Sequence, residues 1–128
     1  MSDPLPTTYQ TMKPHKNLEL WQQAMVLVQM VYEATSGFPR EELFGLTNQM
    51  RRAAVSVPSN IAEGAGRCGE KEFLHFLNIA QGSLSELDTQ IEIAGMLNFL
   101  RTDELLNQSD RVGRLLTGLI KKLRIKTP

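Results

Sequence analysis

A chain of 128 residues with 41% hydrophobic and 22% charged residues has the composition of one globular domain, which excludes wholesale disorder. Fourteen Lys and Arg balance fourteen Asp and Glu, so a strongly basic nucleic-acid coat is excluded while a local basic patch is not. A lone Cys68, no apolar leader, and a longest apolar run of five residues (Ala24 to Val28, against the ~20 of a membrane span) predict a small cytoplasmic protein without a membrane segment.

Residues 1–16 hold Pro4, Pro6 and Pro14 with no apolar periodicity, the pattern of a flexible or extended arm ahead of a folded unit over 17–126. From Leu18 onward the period is helical. Two seams run through the first helix: Leu18, Trp21, Met25, Val28, Tyr32 and Thr35 on one, Leu20, Ala24, Leu27, Val31 and Ala34 on the other. Gly37-Phe38-Pro39 ends it, since glycine suits a helix C-terminus and proline cannot continue the turn. The second helix is predicted from about Glu41 to Gly64, with Leu43, Thr47, Met50, Ala54, Val57 and Ile61 facing the core. Pro58 falls inside it, where a proline loses the bond to the Ala54 carbonyl and costs ~3 kcal/mol unless the helix kinks.

The third helix, about Glu70 to Asn98, has the cleanest spacing: Phe73, Leu77, Ala80, Leu84, Leu87, Ile91 and Ala94, every step three or four. The fourth opens at Thr102, an N-cap residue, with Asp103 and Glu104 complementing the positive helix end. Leu105, Ser109, Val112, Leu116, Leu119 and Leu123 form its seam, and Lys121, Lys122, Arg124 and Lys126 suit its negative end. The predicted fold is all-α: an antiparallel up-down four-helix bundle with a kinked second helix.

The third helix has more apolar surface than such a bundle needs. With Leu77 and Leu84 at heptad position a, Phe76 and Leu97 fall at g, and Ile79 and Ile93 at c. That wider arc, with the double seam of the first helix, predicts a self-association surface, with a thick core as the alternative.

Signals for chemistry are weak. Gly64 to Gly69 reads G-x-G-x-x-G, with Asp88 nineteen residues on, but a helix rather than a strand precedes it, so it is a glycine-rich turn. Glu72 and His75 have the E-x-x-H spacing of di-iron bundles without the second pair, and His75 falls on the solvent side. Cys68 has Arg67 beside it but no histidine nearby, and Ser56, Ser59 and Ser83 lack a base. No catalytic residue, metal or cofactor is expected, and the protein is read as a non-enzyme.

The informative polar residues flank the core. Gln49, Ser56 and Glu63 repeat every seven residues on the second helix, with Asn60 and Arg67 on the adjoining position; Ser83, Glu86 and Gln90 occupy the facing flank of the third. Charges beside apolar neighbours need partners. Glu86 is therefore expected to pair with Arg52 first, or with Arg51 or Arg67. The set reads as a polar network at a helix or subunit boundary, with a ligand site as the alternative.

One ordered series of residues is familiar: Leu20-Trp21-Gln22, Phe38-Pro39, Gln49-Met50-Arg51-Arg52-Ala53-Ala54, then Ser56-Val57-Pro58-Ser59-Asn60-Ile61-Ala62-Glu63-Gly64 and Arg67. It continues through Glu72-Phe73, Phe76-Leu77, Ile79-Ala80, Gly82-Ser83-Leu84 and Glu86-Leu87. Over roughly residues 17 to 100 the chain resembles the four-helix-bundle family of 23S-rRNA intervening-sequence proteins, related to the accessory variability determinant of diversity-generating retroelements. The resemblance implies a closed bundle that assembles as a homopentameric ring. In the retroelement branch it implies a ring that binds nucleic acid and a partner reverse transcriptase, and no enzymatic activity. This chain departs from that branch, which is strongly basic, in being neutral.

The expected function is a non-enzymatic ring-forming scaffold or adaptor serving a nucleic-acid-associated partner. The alternative is weak, sequence-indifferent RNA or DNA binding through Arg111, Arg114, Lys121, Lys122, Arg124 and Lys126, a stretch with no acidic residue after Asp110 and no aromatic after Phe99 to stack on bases.

Overall fold

The computed structural model describes residues 14–126. Four helices carry the fold: α1 (Glu19–Thr35), α2 (Leu46–Ala65), α3 (Glu70–Met96) and α4 (Asp103–Lys126). No strand occurs among the described residues. Successive helices pack side by side and α4 closes back on α1, while the diagonal pairs do not approach; α2 and α3 share the most extensive contact. Cross-helix pairs run in opposite senses. Ser56 meets Ser83, and Gly64, later in α2, meets Phe73 and Phe76, earlier in α3. The bundle is antiparallel and up-down, as the spacing predicts.

Of the two seams in α1, the core takes Leu20, Ala24, Leu27 and Val31, together with Thr35. Met25 and Tyr32 of the other seam are exposed. Phe38, just past the helix, is buried with its ring 5.4 Å from that of Phe99, and the pair closes one end of the bundle. The predicted arm lies outside the described residues up to residue 13. Its last residues instead belong to a 3-10 turn, Pro14–Asn17, that packs on α1 and α2. His15 stands edge-on to Trp21 there, with ring centroids 5.1 Å apart.

The start of α2 differs from the sequence expectation. Arg40–Glu42 form a 3-10 turn and the α-helix begins only at Leu46. Gly45, with φ −110° and ψ −113°, interrupts the helical path, and Glu42 Oε1 accepts the Leu46 N–H at 3.1 Å, serving one of the free donors of the new helix end. Leu43, expected in the core, is consequently exposed. Pro58 is buried inside α2, which continues through it without a break. Side chains bond to carbonyls just beyond the one it leaves unpaired: Ser59 Oγ donates to Val55 O at 2.8 Å and Asn60 Nδ2 to Ser56 O at 2.8 Å.

Glycines set the connections. A Cβ on buried Gly64 would lie 2.8 Å from Phe76 Cβ and 2.9 Å from Phe73 Cδ1, so only glycine lets α2 and α3 come this close. Gly69, with φ +95°, starts α3 from a backbone conformation open to glycine. At the far end Asn98 takes φ 62°, while the Phe99 N–H reaches Ala94 O at 2.9 Å and the Asn98 N–H reaches Gly95 O at 3.0 Å, a Schellman ending that stops α3 at Met96. In α4, Leu105, Ser109, Val112, Leu116 and Leu123 are buried as predicted, but Ile120 takes the core position expected of Leu119. The straight 3.6-residue period drifts away from a strict heptad over that length.

Candidate functional site

The polar residues singled out in the sequence do not form one network. Ser56 and Ser83 hydroxyls meet at 2.8 Å across the α2–α3 seam, and Asn60 Nδ2 donates to Ser56 Oγ at 3.0 Å. Arg51 turns the other way. Its Nε donates to Thr35 Oγ1 at 2.8 Å and its guanidinium lies 4.5 Å from the Tyr32 ring centroid, tying α2 to the end of α1.

The expected pairing of Glu86 with an arginine does not form among the described residues. Arg67 bonds Glu63 one turn back, Nη2 to Oε2 at 2.6 Å, and lies 5.0 Å over Phe76. Arg51 is engaged on α1, and Glu86 accepts only a long bond of 3.4 Å from Gln90 Nε2. Small Ala53 leaves the α2–α3 flank open there, so water reaches Glu86 and the desolvation that demanded a partner is absent. Arg52 and Glu86 both line this groove of about 420 Å³, with Phe44 at its rim and Gln49, exposed, beside them. Arg52 also lines an adjoining groove of about 510 Å³ with Tyr32 and Val55. Gln90 is buried, and its Oε1 has no hydrogen-bond partner among the described residues.

Of the predicted basic set, Lys121 and Arg124 share a groove of about 290 Å³, while Arg111 is held apart. Arg111 pairs with Glu19 at 3.6 Å. Arg114 and Lys121 line a groove of about 780 Å³ between α3 and α4, where Asp88 and Asp110 lie too. Lys122 and Arg124 are exposed on the last turns of α4, and the Lys126 side chain lies outside the description.

Two features escaped sequence reasoning. The α3–α4 groove is one; its signal is the small residues Ser85, Gly113 and Gly118 on its walls. The other is Phe44, whose exposure depends on where α2 begins.

Nothing in these surfaces converges as a reacting centre would. Glu72, His75 and Cys68 are exposed and apart from the grooves described. Among the described residues no group of three or more His, Cys, Asp or Glu is placed to hold a metal ion. None of the helices is long and apolar enough to cross a membrane. What the geometry offers is surface: an open α2–α3 flank with apolar and charged residues in alternation.

No curated protein matches the chain. A solved protein of unknown function from the S23 ribosomal protein family of Bacteroides thetaiotaomicron VPI-5482 has a similar fold, with a TM-score of 0.72 and 19% sequence identity, over 80% of this chain and 98% of that one. Residues 16–118 match the family model described as 23S rRNA-intervening sequence protein. The match spans all of α1, α2 and α3 and most of α4, so this chain belongs to the family of 23S rRNA-intervening sequence proteins.

Proposed function

We propose that the protein is a non-enzymatic scaffold or adaptor that self-assembles through its α2–α3 flank into a homopentameric ring and serves a nucleic-acid-associated protein partner, such as a reverse transcriptase. One observation carries the reading. Ile79 and Ile93, each 40% exposed, stand on the same edge of α3 one heptad either side of Glu86, with Val55 exposed on α2. An apolar edge interrupted by one charge, facing a groove that holds the opposite charge, is the composition of an interface. Among the described residues Glu86 and Arg52 do not pair, which leaves each available to a neighbouring copy. The subunit number and the kind of partner are those the family resemblance implies.

Light scattering at micromolar concentration tests this. The expected mass is about five times 14.4 kDa, and Ile93→Asp, at an exposed position, should return a folded monomer. A wild-type chain that runs at 14.4 kDa would sink the proposal.

A second reading, weak nucleic-acid binding, is favoured by Lys121, Lys122 and Arg124, all exposed at one end of α4. It accommodates the neutral overall charge because a ring would repeat the cluster once per copy.

A further inference from the structure

The neutral chain is electrically divided along its length. The antiparallel order brings the end of α1, the start of α2, the end of α3 and the start of α4 to one end of the bundle. Glu33, Glu41, Glu42, Glu92, Asp103 and Glu104 lie there against Arg40, Arg101, Arg51 (bonded to the end of α1) and Arg52 (in the groove rimmed by Phe44), so carboxylates outnumber cations by six to four. At the other end the ion pair Arg67–Glu63 cancels. Lys71, Lys121, Lys122 and Arg124 lie there too, against Glu70 and Glu72.

The exposed apolar residues follow the same division. Among the described residues the three most exposed large apolar side chains are Phe44 at 90%, Ile125 at 81% and Met96 at 80%. Phe44 and Met96 share the acidic end. With Ser56 opposite Ser83, ten residues toward that end place Leu46 abreast of Ile93, so Phe44 precedes and Met96 follows that level. Leu43 and Leu97, also exposed, complete an apolar corner with Glu41 and Glu92 near it in the chain. Among the described residues Ile125 is the exposed large apolar side chain at the basic end, beside Lys121, Lys122 and Arg124.

We propose that copies of this chain dock end to end, the Ile125 turn of α4 in one copy seating on the Phe44–Met96 corner of the next. Apolar meets apolar at the centre and cations meet carboxylates at the rim, the arrangement of a specific contact. The occupant is a second copy because this chain carries both halves: a basic end with one protruding apolar side chain and an acidic end with an apolar seat. The two surfaces differ, so the contact is heterologous and propagates until it closes or is capped. Phe44 also stands at the rim of the α2–α3 groove, so the contact is tested at Met96 and Ile125, which lie outside that groove; it does not rest on the ring.

Sedimentation velocity of the full chain at about 20 mM and about 500 mM salt tests the charge component, because rim attraction is screened as the Debye length falls. The expected result is a mass at low salt at least twice that at high salt. Met96→Ser and Ile125→Ser each remove the apolar contact at an exposed position without altering charge, and each alone should hold the low-salt mass at the high-salt value. An equimolar mixture of the two restores one intact corner and one intact end, and should form a single joint, doubling the unit and going no further. Equal wild-type masses at the two salts would overturn the proposal, as would variants that still associate or a mixture that does not recover. The high-salt mass reports the α2–α3 assembly and the low-salt increment reports the end contact, so the two proposals fail separately.

Discussion

Ser56 and Ser83, twenty-seven residues apart in sequence, join hydroxyls at 2.8 Å and fix the register of α2 against α3. Asn60 Nδ2 donates to Ser56 Oγ, and the Ser56 and Ser83 hydroxyls share a hydrogen bond that either can donate. Everything along the α2–α3 flank follows from this register, including the closeness of Gly64 to Phe76.

That closeness gives the first prediction. Gly64→Ala places a methyl 2.8 Å from Phe76 Cβ, an atom fixed to helical backbone, so the helices must separate. The expected cost is ~1–3 kcal/mol, the range for overpacking a filled site. Gly82→Ala is the control, since a Cβ there meets nothing within 4 Å. Relief of glycine's entropy in a helix should stabilise it by roughly 0.5–1 kcal/mol. Thermal melts of the two variants should move in opposite directions; a Gly64→Ala melt at or above wild type would show that the seam has slack.

Arg51 and Glu86 separate a tying residue from a solvated one. Arg51→Ala strips a hydrogen bond from buried Thr35 and the cation from the Tyr32 ring, and should destabilise by ~1–3 kcal/mol. Glu86→Ala, at an exposed site with one 3.4 Å bond, should change chain stability by no more than ~0.5 kcal/mol. Denaturant titration under conditions that keep the chain monomeric compares them. A larger loss for Glu86→Ala than for Arg51→Ala would reinstate the buried pair that the sequence pattern alone suggested.

Across copies the same carboxylate has a different expected role. If the α2–α3 flank is an interface, Arg52→Glu and Glu86→Arg should each weaken assembly by placing like charges together. The double variant should restore it, because the reversed charges complement one another again. Dilution series read by light scattering give the four masses needed. Additive losses in the double variant would show that these two residues do not meet between copies.

The fold was legible because apolar spacing reports on burial directly. The α3 seam from Leu77 to Ala94 is buried at every predicted position, although Phe73, at its head, is only half covered. Boundaries were legible where a glycine or proline stands at them and not elsewhere: Gly37 to Pro39 marks the end of α1, but the late start of α2 depends on the Glu42 carboxylate and Gly45 acting together. The polar network was half legible. A seven-residue repeat showed that Ser56 and Ser83 flank the core, but it could not show that Ala53 leaves room for water beside Glu86. Groove and corner surfaces were least legible, because they arise from what neighbouring helices leave uncovered.

The last prediction concerns nucleic acid. Of the six cations proposed for it, Arg111 is engaged with Glu19, and Arg114 and Lys121 share their groove with Asp88 and Asp110. Lys122 and Arg124 are therefore the exposed cations with the least local opposition, with Lys121 at the groove's edge. Two or three phosphate contacts per copy should give a slope of log affinity against log salt of about 0.7–0.9 per contact. Affinity should be indifferent to sequence, because phosphate contacts position without reading bases. Part of this charge also offsets the negative end of α4, so replacing it has a stability cost of ~0.3–1 kcal/mol that must be measured alongside. Lys121→Gln, Lys122→Gln and Arg124→Gln together should abolish binding of single-stranded RNA at low salt while leaving the assembly mass at high salt unchanged. Arg111→Gln should leave binding nearly intact, since that guanidinium is already held by Glu19. Binding that survives both the triple substitution and physiological salt would place the nucleic-acid contact elsewhere, with Arg52 on the open α2–α3 flank as the next residue to replace.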